Sequence, residues 1–241
     1  TADADYTDAT GTLTFAPGET IKTIPIAIIN DAIAEPATET MTVTFSNEAN
    51  AATGTAGLGV TITNDDTASI TIADAGATEG DGTVTVTVNM DIAAETSVTV
   101  SYATADGSAE DGSDYTAVAG TVVYAIGESG PKTFTVAIAA DGIAEPATET
   151  FTVGLSGLTT TSDASIDDAS GTMTVTNADT ASLSVAANGA TEAAGAIVVT
   201  VSIDMATQTG VTVTYTTSNG AALAGSDYTA ASNTLTWAAG D

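Results

Sequence analysis

The sequence predicts an all-β fold, made of tandem antiparallel β-sandwiches with about seven strands each. Three observations predict this fold. Apolar residues alternate with Thr or Ser in short runs, no stretch sustains the 3.6-residue period of a helix, and the pattern returns after about 110 residues. Because about 110 residues is an ordinary domain size, each repeat is expected to fold as one sandwich.

The repeat is visible in short phrases that recur in the same order. Asp-Tyr-Thr occurs at 5–7, 114–116 and 227–229, and AEPATET occurs at 34–40 and 144–150. The spacings between these copies are 109 to 113 residues. This regularity indicates duplication of one structural unit.

The frame of the repeat predicts three segments. GTLTFAPGE at 11–19 corresponds to NTLTWAAGD at 233–241, so the chain begins and ends at the same point of a unit. We expect 1–66 to be the C-terminal half of one unit, 67–179 a complete unit, and 180–241 the N-terminal half of a third. We favour an excerpt of a longer tandem array. The alternative is a protomer whose half domains complete each other between molecules, since strand addition is a known assembly mode.

The strands of the complete unit are predicted from alternation with period two. Val84, Val86 and Val88 alternate with Thr, as do Phe151 and Val153, which indicates one face on a core and one face in water. Seven runs are separated by Gly, Asp, Ser and Pro clusters. Seven short strands in a unit of this length are typical of an immunoglobulin-like sandwich. The runs are 67–73, 83–89, 97–103, 119–125, 132–139, 148–155 and 170–176.

Aromatic residues are few, so the core is expected to be thin. Phe15 and Trp237 occupy equivalent positions, so the single Trp237 is predicted to be a core residue and not a ligand platform. Tyr6, Tyr115 and Tyr228 are predicted to be packing residues as well. The region 156–170 is rich in Thr, Ser and Asp, which is typical of a surface loop.

The composition excludes several classes of function. The chain has 31 acidic residues, two lysines, no Arg, His or Cys, and a formal net charge of −29. Nucleic acid binding is excluded because the cations that neutralise phosphates are missing. Without His, Cys or Arg, the usual catalytic groups are absent, so we expect no enzyme. The sequence contains no run of 18 apolar residues, so we do not expect direct membrane insertion. The acidity favours a secreted or cell-surface location.

The glutamates of AEPATET are unusual among these acids. Glu149 has the same strand parity as Phe151 and Val153, and Glu39 has the parity of Met41 and Val43. A carboxylate on the inward face of a sandwich needs a partner, because burial of an unpaired charge is costly. Two lysines cannot serve all such carboxylates, whereas a bound cation could. The alternative is that most of the acids form a solvated, salt-adapted surface.

The motifs resemble the Calx-beta domain, an immunoglobulin-like repeat found in sodium/calcium exchangers, integrin beta-4 and many large bacterial surface proteins. YATADGSAEDGSDYTAVAGTVVY at 102–124 is similar to the family's Y-x-T-x-D-G-T-A-x-x-G-x-D-Y segment. FAPGETIKTIPIAIINDAIAEPATETMTV at 15–43 and ITNDDT at 62–67 are similar to its later segments. The similarity covers the whole chain.

The resemblance implies Ca²⁺ at one end of each sandwich, beside the next repeat. The phrases NDA at 30–32 and ADG at 140–142 are thinner in acids than the family pattern, so we expect fewer or weaker ions. In the third segment the only implied ligand is Glu192, because Asn219 occupies the position equivalent to Asp106. The implied ligands are Glu79, Asp106, Asp141, Glu145, Glu149 and Asp179 in the complete unit, and Asp31, Glu35, Glu39, Asp65 and Asp66 in the first.

The function predicted from these features is structural. We expect a non-catalytic repeat of a long extracellular surface protein, such as an adhesin, stalk or matrix fibre, stiffened by calcium where domains meet. Its partners would be neighbouring repeats of the same or an identical chain, with cell-surface or matrix ligands as further candidates. The alternatives are a ligand-binding adhesion module and a filament of self-completing half domains.

Overall fold

The computed structural model describes residues 5–55 and 57–241, so residues 1–4 and 56 of the predicted first unit lie outside it. Two short 3-10 helices, Glu79–Asp81 and Glu192–Ala194, interrupt a chain that is otherwise built from strands and loops. Among the described residues, no helix has the length and apolar character needed to span a membrane. The strands are β1 Thr38–Thr44, β2 Gly57–Thr63, β3 Ala68–Ile72, β4 Ala75–Thr78, β5 Thr83–Met90, β6 Val98–Ala105, β7 Ala119–Tyr124, β8 Gly130–Ala137, β9 Thr148–Thr159, β10 Ala164–Ile166, β11 Ser170–Thr176, β12 Leu183–Ala187, β13 Val199–Ile203, β14 Val211–Thr216 and β15 Ser232–Trp237.

Strands β3 to β11 form two sheets that enclose one core. The first sheet has the order β10-β3-β5-β8, and the second has the order β4-β11-β9-β6-β7. Most neighbours are antiparallel, whereas β4 pairs with β11 and β10 pairs with β3 in parallel. The predicted all-β fold of antiparallel sandwich type is therefore confirmed.

The core follows the alternation in the sequence. Val86 and Val88 of β5 and Phe151 and Val153 of β9 are fully buried, while the Thr residues between them are more exposed. Tyr115 is buried and stacks on Phe151 with the ring centroids 4.0 Å apart, so its predicted packing role is confirmed. Large aromatic rings thus supplement a core made mainly of Val and Ala.

The first predicted strand is followed by a short strand in the opposite sheet that was not predicted. Its run at 67–73 corresponds to β3, after which the chain crosses over and β4 joins the opposite sheet. The Oδ1 atom of Asp74 accepts a hydrogen bond of 2.7 Å from the Thr172 amide at this crossing. Gly76 allows β4 to approach β11 closely, because a Cβ atom at this position would lie 3.1 Å from the Thr174 carbonyl oxygen. Alternation alone does not reveal β4, since this strand is short and rich in Ala and Gly.

The segment 156–170 differs from the predicted surface loop. Its first residues extend β9 to Thr159, and its middle forms β10. Ser162 is buried, and its hydroxyl accepts a hydrogen bond of 3.1 Å from the Thr96 amide. Hydroxyl groups therefore hold this segment against the body of the unit. Most of its residues are exposed as expected, but part of it forms strands and not a loop.

The first and third units each contain only part of a sandwich. Strands β1 and β2 pair as β9 and β11 do in the complete unit, and β12 with β13 and β14 with β15 form two further hairpin-like pairs. Val185 is 69% exposed whereas its counterpart Ile72 is 3% exposed. Trp237, which was predicted to be a core residue, is only partly buried. Its counterpart Phe15 is 51% exposed, whereas the equivalent Tyr124 of the complete unit is fully buried. The cause is that residues 5–66 include no counterparts of β3, β5 and β6 to cover Phe15.

Successive units meet through the same backbone bridge at both junctions. Ala34 of the first unit forms a parallel bridge with Ala94, and Ala144 forms the equivalent bridge with Thr207. All four side chains are shielded from solvent, and three of them are fully buried or nearly so. The hydrogen bonds are Ala34 N to Ala93 O at 2.8 Å, Glu95 N to Ala34 O at 2.9 Å, Ala144 N to Ala206 O at 3.0 Å, and Gln208 N to Ala144 O at 2.9 Å.

Candidate metal centres at the junctions

The cluster at the second junction is formed by Asp114, Glu145 and Glu149. Glu149 is the second residue of β9, and the alternation that buries Phe151 and Val153 also turns Glu149 inward. Asp114 lies in the turn before β7, where its Oδ2 atom accepts a hydrogen bond of 2.6 Å from the Glu110 amide. One carboxylate oxygen from each of the three clustered residues lies within 4.8 Å of the others.

The burial of Asp114 makes this cluster chemically incomplete. Its side chain is 2% exposed, and its Oδ1 atom has no hydrogen-bond partner among the described residues. Lys132 pairs with Glu128 and Lys22 pairs with Glu19, so neither lysine of the chain neutralises the cluster. A buried carboxylate oxygen without a donor is costly, and a cation at this point would remove the cost.

The electrostatics of the cluster agree with its geometry. Burial, together with the charges of Asp114 and Glu149, raises the pKa of Glu145 to about 8. Burial also raises the pKa of Glu149, against an opposing contribution from its hydrogen bond with Gln208. These carboxylates therefore resist ionisation together unless a positive charge joins them.

An equivalent cluster lies at the first junction. It contains Asp5, Glu35 and Glu39, which are the counterparts of Asp114, Glu145 and Glu149, and their carboxylate oxygens also lie within 4.8 Å of one another. The Oε2 atom of Glu39 is buried with no hydrogen-bond partner among the described residues. Burial, followed by the charges of Glu39, Asp31 and Glu95, raises the pKa of Glu35.

Two further acids border the second cluster. Glu79 is buried in its 3-10 helix, and its Oε2 atom accepts a hydrogen bond of 2.9 Å from the Ala178 amide. A hydrogen bond between Glu79 and Glu145 contributes to the raised pKa of Glu145. Asp141 lines the same cleft, where its Oδ1 atom accepts a hydrogen bond of 2.8 Å from the Ile143 amide.

The donor set fits a hard divalent cation. Every candidate side chain offers oxygen, and Ca²⁺ takes about six to eight oxygen ligands from carboxylates, carbonyl groups and water. Each cluster provides three carboxylates in a cleft that is partly open to solvent. The residues present therefore suit Ca²⁺, with water and main-chain oxygens completing the shell.

The comparisons with known proteins are consistent across the whole chain. The family model of the Calx-beta domain matches residues 1–76, 63–181 and 175–241. The chain belongs to the Calx-beta domain family. This confirms the resemblance seen in the sequence motifs.

Among solved structures, the chain is similar to Calx domains at low sequence identity. The apo form of the Calx CBD1 domain is 20% identical, with a TM-score of 0.42, and the match covers 47% of this chain and all of that one. The calcium binding domain CBD12 of CALX1.1 is 17% identical, also with a TM-score of 0.42, and the match covers 70% of each chain. No curated protein sequence matches this chain significantly.

Several acids implied by the Calx-beta motifs lie outside the two clusters. Asp106 lies in a turn, where its Oδ1 atom accepts hydrogen bonds from the Tyr115 hydroxyl at 2.6 Å and the Asp111 amide at 2.9 Å. Asn219 accepts the equivalent bonds from Tyr228 and Ala224. An amide thus replaces the carboxylate with the same local contacts, which indicates a structural role at this position.

The side chains of Asn64 and Asn177 form hydrogen bonds with the main chain around the acidic residues at the unit ends. Asn177 Nδ2 donates to the carbonyl oxygens of Glu145 and Asp179, and Asn177 Oδ1 accepts from the Asp179 amide. Asn64 makes the same bonds with Glu35 and Asp66. Asp66 and Asp179 therefore contribute main-chain atoms to a fixed turn, and a metal role for their side chains stays a prediction, as it does for Asp65.

The remaining acids implied by the Calx-beta motifs lie in turns. Asp31 lies near Glu35 in a turn, where its Oδ1 atom accepts a hydrogen bond of 2.9 Å from the Ile33 amide. Glu192 is exposed in the second 3-10 helix. A metal role for Asp31, like that of the other implied ligands, stays a prediction.

Sequence reasoning missed three residues of these sites. Asp5 and Asp114 were recognised only as neighbours of the repeated Tyr, although their recurrence in Asp-Tyr-Thr was visible. Gln208 belongs to the following repeat and offered no signal, because its contact with the cluster depends on how two Calx-beta units dock.

Proposed function

We propose that the chain is a non-catalytic, calcium-binding structural segment of a long extracellular surface protein. The observation that supports this proposal is the recurrence of one three-carboxylate cluster at both junctions, beside the same interdomain backbone bridge. A catalytic site would not need to be duplicated at each boundary between units. A cation at such a boundary would instead stabilise the docked arrangement of neighbouring repeats.

Thermodynamic linkage gives the cation its effect. A ligand that binds only the folded, docked arrangement stabilises it by about 2.7 kcal/mol when its concentration is a hundred times Kd. Burial and, to a smaller extent, neighbouring charges raise the pKa values of Glu35, Glu145 and Glu149, so ionisation of these carboxylates opposes this arrangement when no cation is present. Calcium would therefore stabilise each unit and stiffen the array together.

An extracellular setting supports this function. Millimolar affinity is sufficient for calcium modules outside cells, so clusters with only three close carboxylates would be occupied there. The net charge of −29 would keep long arrays soluble and mutually repulsive. We infer an adhesin, stalk or matrix fibre, whose direct partners are neighbouring repeats.

Thermal unfolding with matched variants tests the proposal. Asp114→Asn removes a cluster carboxylate, whereas Asp227→Asn changes its counterpart, which has the same local hydrogen bond but no counterparts of Glu145 and Glu149 within residues 180–241. We expect calcium to raise the melting temperature of the complete unit in the wild type and in Asp227→Asn, and to raise it less in Asp114→Asn. Equal calcium responses in both variants would refute the proposed site.

Completion of half units between molecules is a second candidate function. Val185 and Val199 are exposed, although their counterparts Ile72 and Val86 are buried beneath the other half of their unit. The complementary half of a unit is the surface that fits these faces, whether it comes from the same polypeptide or from another copy. Sedimentation of the 241-residue chain should show head-to-tail association that Val185→Ser with Val199→Ser weakens. A monomer at all concentrations would exclude this candidate.

A further inference from the structure

The two junctions differ at one position that contacts the acidic clusters. Residue 95 follows the bridging Ala94, and residue 208 follows the bridging Thr207, so the two positions are equivalent. The first is glutamate and the second is glutamine. In each case the residue belongs to the repeat that follows the cluster, and its amide donates to the bridging alanine carbonyl of the preceding unit.

Gln208 joins the two repeats by its side chain. Its Nε2 atom donates to Oε1 of Glu145 at 3.3 Å and to Oε1 of Glu149 at 3.2 Å. An amide that donates to two carboxylates partly satisfies the oxygen atoms that a cation would otherwise hold. The second junction therefore has an interdomain contact that needs no ion.

Glu95 has the opposite effect on the first junction. It carries a carboxylate where Gln208 carries an amide, and its main-chain amide donates to the carbonyl oxygen of Ala34, the residue before Glu35, at 2.9 Å. A fourth carboxylate next to the acidic cluster repels it, and the repulsion favours separation of the two repeats. The same carboxylate is attracted when a divalent cation occupies the cluster.

We propose that the residue at position 95 or 208 determines how each junction depends on a cation: Gln208 keeps the second junction docked without one, whereas Glu95 makes docking of the first junction depend on one. This inference rests on the proposed function, because it assumes that the clusters bind calcium. The unpartnered Oδ1 atom of Asp114, which is nine-tenths buried, is the independent indication of a ligand at such a cluster. The array would then consist of segments that respond differently to calcium.

Distance measurements across each junction test the inference. The chain has no cysteine, so spin labels can be placed on exposed strand residues without background. Labels at Thr42→Cys and Thr133→Cys report on the first junction, and labels at Thr133→Cys and Thr212→Cys report on the second. In chelator we expect a broad distance distribution at the first junction and a narrow one at the second. Calcium should narrow the distance distribution at the first junction and leave the distribution at the second junction unchanged.

Exchange of the two residues provides the matched control. Gln208→Glu should broaden the distance distribution at the second junction in chelator, and calcium should then narrow it. Glu95→Gln should narrow the distance distribution at the first junction in chelator. Circular dichroism of each variant checks that the strands remain folded. Equal widths at the two junctions in chelator, or widths that do not change when the residues are exchanged, would overturn the inference.

Calcium titration of the unlabelled chain separates this inference from the proposed function. An absence of binding would refute the proposed function and, with it, the cation dependence of the first junction. If calcium binds but the widths of the distance distributions are the same in Gln208→Glu and Glu95→Gln as in the wild type, only the role of residues 95 and 208 is refuted.

Discussion

Tyr115 donates a hydrogen bond of 2.6 Å to the Oδ1 atom of Asp106, and this contact fixes the turn that carries Asp114. Tyr115 is buried against Phe151, so the bond connects the core to the turn. Burial, followed by the hydrogen bond to Asp106, raises the pKa of Tyr115 to about 12. The pair thus places a cluster residue without itself being part of the cluster.

Substitution of Asp106 should separate its structural role from a metal role. Asp106→Asn keeps an acceptor oxygen, as Asn219 does in the third unit, so we expect unchanged calcium affinity and little change in unfolding free energy. Asp106→Ala should cost about 1–3 kcal/mol, because the Tyr115 hydroxyl loses its acceptor. Urea unfolding and calcium titration measure the two effects. A large loss of calcium affinity in Asp106→Asn would instead make Asp106 a ligand.

The core of the complete unit should be sensitive to loss of an aromatic ring. Phe151→Ala removes a fully buried ring that stacks on Tyr115, and we expect a loss of about 3–5 kcal/mol in unfolding free energy. Leu58→Ala is the control, because Leu58 is 60% exposed and its removal leaves no cavity. Chemical denaturation compares them. Similar losses in both variants would contradict the core described above.

The pH dependence of stability should reflect Glu145. Its pKa is raised from 4.5 to about 8 in the folded chain, so between these values the folded state holds a proton that the unfolded state has released. In chelator the unfolding free energy should therefore fall as pH rises through this window, and Glu145→Gln should flatten the fall. Urea denaturation between about pH 6 and pH 8, where ordinary carboxylates are already ionised, isolates the effect. Identical slopes for the two proteins would contradict the assigned environment of Glu145.

Much of the fold could be predicted from the sequence, because the alternation of side chains along a strand is a local property. Alternation places Glu149 and Phe151 on one face of β9 whatever the rest of the chain does, and the structure buries both. The crossing from β3 to β4 in the opposite sheet was not predictable by this rule, because it depends on which sheet offers a free edge. The exposure of Phe15 was not predictable by this rule either, since burial of the equivalent Tyr124 requires the other half of its unit.

The candidate site was only partly predictable. Parity selected Glu39 and Glu149, but Asp114 lies in a turn, where strand parity has no meaning. Motif resemblance favoured Asp106, whereas the structure brings Asp114 to the glutamates and leaves Asp106 bound to Tyr115. The contact from Gln208 arises only when two repeats dock, which no single repeat encodes.

Calcium titration by calorimetry tests the central claim most directly, with the full chain compared against the double variant Glu39→Gln, Glu149→Gln. Each substitution removes one inward carboxylate from one cluster while keeping the size of the side chain. We predict saturable calcium binding to the wild-type chain and its loss in the double variant. No saturable heat in the wild type, or equal binding in both proteins, would contradict calcium binding at the junction clusters.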